Sequence, residues 1–156
     1  VRLTSSDIGA WLVTCNPREF AEMLPRLRAG ERVDGWCVRP TYRLDLIAPD
    51  QPALLLVSGP RGATPEPGIW MRGRMTGELD HGGHRPRAGL ELALLDAPLL
   101  REVLRADPRT ARMEVLRSAQ TSNPSVVLPG EWAAIEDLLA GGAIRAAAGP
   151  RGSRRA

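Results

Sequence analysis

Thirty of the 156 residues are glycine or proline, 16 and 14 respectively. They punctuate the chain so closely that many turns and few long helices are expected. Between them lie short apolar runs. Ala10–Cys15 is β-branched and apolar and reads as a first strand, stopped by Asn16-Pro17. After it a helix is predicted, with Asn16 as N-cap, Pro17 at its first position and Phe20, Met23, Leu24 and Leu27 on one face. Pro25 inside that pattern predicts a kink or break, and Gly30 closes it. Gly35–Arg39 reads as a strand and Tyr42-Arg43 as a short helical turn. Ala53–Ser58 reads as a buried strand ended by Gly59-Pro60, and Gly68–Leu79 as a long strand whose glycines predict bulges. Asp80–Pro86 is a turn, Leu90–Leu95 a returning strand, Pro98–Leu104 a short helix and Arg112–Arg117 a further strand. Ser118–Pro124 is a polar loop, and a last helix runs over 129–139 until Gly141-Gly142 ends it.

Five or six strands with short helices, and no regular alternation of strand and helix, predict an α+β fold. The expected form is a small, mostly antiparallel β-barrel with peripheral short helices. The length suits one domain, placed at residues 1–140. Residues 141–156 are an Ala/Gly/Arg tail expected to be disordered.

The formal net charge is +3. It is unevenly placed. Arg145, Arg151, Arg154 and Arg155 lie beyond residue 140 with no acid beside them, which leaves 17 basic against 18 acidic residues in 1–140. A protein that coats nucleic acid by charge alone is therefore excluded as the first expectation. All 21 basic residues are arginine, a usage that reads as a high-GC, bacterial genome. Cys15 and Cys37 stand 22 residues apart and form no paired motif, so neither a disulfide framework nor a zinc ligand set follows. No apolar run approaches a membrane span, and Val1–Ser6 lacks the apolar core of a secretory signal. A cytoplasmic location with no membrane partner is expected.

Signs of catalysis are sparse. Asp80, His81 and His84 could ligate a divalent metal in a hydrolase, but their Gly-rich setting reads as a solvated turn. Neither cysteine has a base marked beside it. Gly59-Pro60-Arg61-Gly62 lacks the lysine and hydroxyl of a phosphate loop. The expectation is no enzyme, no cofactor and no metal. The aromatic inventory says more: four of six aromatics are Trp. Trp11 and Trp132 read as core. Trp36, Tyr42 and Trp70 read equally as core or as flat walls on which a base could stack. Arginines cluster at 26–43 and at 61–74, either as solvated faces or as phosphate contacts.

The order and spacing of several segments resemble a known family. Trp11–Pro17, then Trp36-Cys37-Val38 with Tyr42-Arg43, then Leu54–Gly59, then Pro67–Gly73 are similar to segments of the EVE domain of the PUA-like superfamily. Pro98–Leu100, Glu114–Arg117, Gln120–Pro124 and Glu131-Trp132 are similar to its closing segments, so the resemblance covers residues 10–140. It implies a pseudobarrel with peripheral helices that reads, without catalysis, a modified base flipped out of DNA or RNA into an aromatic-lined pocket. Methylated or hydroxymethylated cytosine and methylated adenine are the ligands it implies. By position, it implies ligand contacts at Asn16, Pro17, Trp36, Val38, Tyr42, Ser58, Gly59, Trp70 and Asn123. Arg39, Arg43, Arg72 and Arg117 are the expected phosphate contacts. The chain departs from the family pattern at Cys15-Asn16-Pro17, where many relatives have Ser-Glu-Pro, at Ala48–Gln51, and at Pro40. An asparagine both donates and accepts where a carboxylate only accepts. Binding of a small nucleotide-like ligand or a protein partner is the alternative expectation, and a metal-dependent hydrolase the third.

Overall fold

The computed structural model describes residues 2–118 and 123–148, the last six of these by backbone alone. Its centre is a six-stranded mixed sheet. In chain order the elements are β1 (Ala10–Cys15), α1 (Pro17–Arg28), β2 (Val33–Cys37), β3 (Pro52–Val57), β4 (Gly68–Asp80), β5 (Arg87–Leu100), α2 (Arg101–Ala106), α3 (Glu114–Arg117), β6 (Ser125–Val127) and α4 (Pro129–Ala148). Short 3-10 turns lie at Ser5–Asp7 and Tyr42–Leu46. The strands are ordered β2-β5-β4-β3-β1-β6.

One expectation about this sheet needs correction: it is not a closed barrel. Four of its five pairings are antiparallel, as expected. β1 and β3 run parallel, Trp11 to Cys15 pairing with Ala53 to Val57. A parallel neighbour requires a long crossover, and α1, β2 and the Tyr42–Leu46 turn supply it. The edge strands β2 and β6 form no ladder with each other. The Arg39 N–H, just past β2, instead donates to the Asn123 carbonyl at 2.7 Å, which brings the two edges together without closing them.

Both faces of the sheet are covered where β1 and β3 lie, so those two strands are apolar at every position but Thr14. Trp11, Val13, Cys15, Leu55, Val57, Met71, Met75 and Leu90 join Phe20 and Leu27 of α1 in one core. Ala10, Leu12, Leu54, Leu56, Ile69 and Val127 face Leu104, Met113 and Ile135 of the helical side in the other. Trp11 is fully buried, as expected, and its Nε1 donates to Gln51 Oε1 at 2.7 Å. Trp132 packs at the margin of the second core.

Several elements differ from expectation. The predicted break at Pro25 is absent, since α1 runs unbroken from Pro17 to Arg28. β5 extends to Leu100, so 98–100 is strand and the helix begins at Arg101. Residues 114–117 form one helical turn rather than a strand, with the Arg117 N–H donating to the Met113 carbonyl. β6 was not expected at all; it exists because Ala10 to Leu12 pair with Val127 to Ser125. Gly141-Gly142 does not end α4, whose backbone continues to Ala148. The tail expected to be disordered falls outside the described residues from 149 on.

Candidate nucleic-acid interface

The ends of β1 and β3 lie side by side because the pair is parallel, and the chain leaves both in the same direction. The Ser58 N–H donates to the Cys15 carbonyl at 2.9 Å, and the Ser58 hydroxyl donates to the same oxygen at 3.3 Å. Asn16 then caps α1, its Oδ1 accepting from the Glu19 N–H at 2.8 Å. Gly59 sits at φ +120, and a Cβ there would come within 3.0 Å of Pro17 Cγ. The turn after β3 can thus lie against the start of α1 only as glycine. Antiparallel register brings in the rest. Val57 pairs with Gly68 and Gly68 with Leu100, so β4 begins and β5 ends at this rim. The Asn123 side chain spans the Thr14 backbone, with Oδ1 3.4 Å from its nitrogen and Nδ2 3.5 Å from its oxygen.

Asn16, Pro17, Ser58, Gly59 and Asn123 therefore meet at one rim, with the Arg39 backbone held there by Asn123. Trp70 joins them through a bulge. Leu55 pairs with Met71 and Leu56 with Ile69, which leaves Trp70 unopposed. A bulge re-aims the side chain it carries. The Trp70 indole packs at 5.3 Å from the Phe20 ring, and its Nε1 donates to the Glu66 carbonyl at 2.8 Å. Trp36, paired with Ala88, is half-buried against the same core, and Val38 is buried in it.

Other expected residues are placed elsewhere. The Tyr42 hydroxyl accepts from the Leu3 N–H at 2.9 Å, and the Arg2 guanidinium lies 4.3 Å from its ring centre, so one face of that ring is already stacked. Arg43 grips Glu114 through both terminal nitrogens, at 2.9 and 2.6 Å. Arg72 shares register with Leu54, a residue of the second core, and its guanidinium approaches the Trp132 ring at 5.7 Å. It therefore projects on the face of the sheet opposite Trp36. Arg117 lines a separate groove with Arg43, Arg112, Glu114 and Glu131. Of the expected phosphate contacts only Arg39 stands at the rim.

Sequence reasoning missed Arg101, the first residue of α2. Its Nη1 donates to the Gly59 carbonyl at 2.8 Å and its backbone N–H to the Pro67 carbonyl at 2.9 Å. It ties both ends of the β3–β4 loop together. In the sequence it was one polar position in a predicted short helix, and nothing in the spacing marked it.

Burial, with Glu19 adding to it, pushes the Cys15 thiol up to about 12, so no thiolate stands there at neutral pH. Asp80, His81 and His84 are exposed, and the Asp80 carboxylate accepts from the Gly82 N–H at 2.8 Å. Among the described residues no three His, Cys, Asp or Glu side chains gather as a metal site, and no helix is long and apolar enough to cross a membrane.

No family model matches the chain, and no curated protein does. Solved structures do. A hypothetical protein from Leishmania major superposes with a TM-score of 0.67 at 15% identity, over 90% of this chain and 99% of that one. The protein Rpa0253 from Rhodopseudomonas palustris gives 0.60 at 18%, over 88% and 96%. Human THYN1 in complex with DNA containing 5-methylcytosine gives 0.62 at 12%, over 83% and 96%. At these identities what the chain shares with the three proteins is their fold.

Proposed function

We propose that this chain is an EVE-type module of the PUA-like superfamily that binds a modified base flipped out of DNA, without catalysis. The observation that carries this reading is the fold shared with human THYN1, solved with 5-methylcytosine DNA. The rim residues support it. Trp70 offers apolar ring surface, Ser58 and the Asn16 amide offer hydrogen bonds to a base edge, and Arg39 offers a charge to the backbone, while Trp36, half-buried against the same core, is a second candidate stacking wall. Burying one methyl group contributes about 0.8 kcal/mol, so the expected preference for a methylated base is about fourfold from apolar burial alone.

Fluorescence-anisotropy titration of matched duplexes, with cytosine or 5-methylcytosine at one position, tests the reading. Tighter binding of the methylated duplex by the wild-type chain, reduced by Trp36→Ala in a variant folded by circular dichroism, is the expected result. Equal affinity for both duplexes, or the same discrimination by the variant, overturns it.

A further inference from the structure

The second half of α4 has no polar face. From Leu138 to Ala148 the helix holds one charged residue, Arg145, and every other position is leucine, isoleucine, alanine or glycine. A helix that is apolar all round is normally buried. Yet a Cβ placed on Gly141 or Gly142 would meet nothing within 4 Å. On that side no described part of the chain covers α4.

Beside it lies a groove of about 650 Å³ between α4 and the end of β5. Leu95, Pro98 and Leu99 line it from β5, and Leu138 and Leu139 from α4. Leu95, Leu138 and Leu139 are only partly buried, at the margin of the second core. The strand is open here. β2 pairs with β5 as far as Leu92, and the register with β4 jumps from Leu94 opposite Met71 to Leu99 opposite Ile69. Residues 95–98 thus have no partner in register on either side. Three charged residues border the groove, Arg72, Asp96 and Glu136. The Arg72 guanidinium lies over the Trp132 ring. Asp96 and Glu136 are exposed, and neither is in an ion pair among the described residues.

We propose that two copies of this chain exchange the ends of α4, residues 143–148 of each lying in the groove of the other about a two-fold axis. A second copy fits because the chain supplies both halves of the contact. The occupant is an apolar helical end that runs about 9 Å past Gly142, and the site is an apolar groove. The occupant's one charge, Arg145, is opposite in sign to Asp96 and Glu136. The distance between packed helices is set by the side chains at the crossing, so Gly141 and Gly142 let the partner helix come close. Reciprocal exchange closes with two copies and takes both apolar surfaces out of water. It is independent of the function proposed above.

Sedimentation velocity of the full chain over a concentration series tests this, with two variants checked for folding by circular dichroism. Ala97→Arg puts a bulky charge on the exposed wall of the groove, and Ile144→Asp puts a charge on the helical end that fills it. The wild-type chain is expected to form a dimer, and each variant to raise its dissociation constant about tenfold or more. The decisive sample mixes the two variants. Each homodimer has both contacts damaged. The mixed dimer pairs the intact helical end of Ala97→Arg with the intact groove of Ile144→Asp, so one contact of the two is restored. The mixture is therefore expected to dimerise more tightly than either variant alone. A wild-type chain that stays monomeric up to its solubility limit overturns the proposal. So does an assembly larger than two, a dimer insensitive to either substitution, or a mixture no tighter than its components.

Discussion

Asn16 carries a carbonyl and an amide, and the fold uses the first as the cap of α1. Its two functions are separable by substitution. Asn16→Asp keeps a capping oxygen and replaces the amide donor. It should retain stability in urea unfolding while losing affinity for the modified base. Asn16→Ala should lose both, with a stability cost of about 1 kcal/mol. A loss of affinity in the alanine variant alone would limit Asn16 to holding up the helix. Gly59 is a second residue whose identity is dictated by place. At φ +120, with Pro17 3.0 Å from any Cβ, Gly59→Ala should destabilise the chain by about 1 kcal/mol or more, read as a fall in thermal midpoint. Both residues were visible in the sequence as turn and cap. Arg101 was not, because its hydrogen bonds to the Gly59 and Pro67 carbonyls join positions far apart in the chain, which only folding brings together.

Elements explain which parts of the sequence could be read and which could not. β1 and β3 were legible because each is a short apolar run closed by Pro or Gly, and α1 because its cap and apolar face agree. β6 was illegible, since three residues become a strand only by pairing with Ala10 to Leu12, more than a hundred positions away. Arg112–Arg117 alternates like a strand, but its place is decided by Glu114. That carboxylate accepts from Arg43 and from the Val126 N–H, so α3, β6 and the Tyr42–Leu46 turn share one anchor. Burial works against the charge of Glu114, but the Arg43 and Val126 hydrogen bonds prevail, and its pKa lies below the ordinary 4.5. The folded chain therefore keeps this carboxylate ionised to lower pH than the unfolded chain does. Its contribution to stability is complete above about pH 4.5 and is lost as pH falls through the folded value. Glu131, in the same groove, is raised by burial, so its contribution runs the other way. Chemical denaturation at a series of pH values should show Glu114→Gln flattening the acid-side loss and Glu131→Gln steepening it. Parallel curves for wild type and both variants would contradict the assigned anchor.

At the scale of the whole molecule, the proposed binding would divide between charge and fold. Residues 1–140 hold nearly equal numbers of acids and bases, and six of their arginines, Arg26, Arg43, Arg61, Arg74, Arg87 and Arg109, pair with carboxylates within the fold. Such a body gains little from the phosphate field at long range; its selectivity has to come from short-range contacts at the rim. The surplus charge lies beyond residue 140, and three of its arginines, Arg151, Arg154 and Arg155, lie beyond the end of α4. On the proposed function these would act on any duplex alike. A chain ended after Ala148 should therefore bind methylated and unmethylated duplexes more weakly by the same factor. Its salt slope should fall by up to about three, one for each phosphate contact removed. The ratio of the two affinities should not change. If that ratio falls when the three arginines are removed, the terminal segment takes part in reading the base. Discrimination would then no longer belong to the rim where β1 and β3 end together.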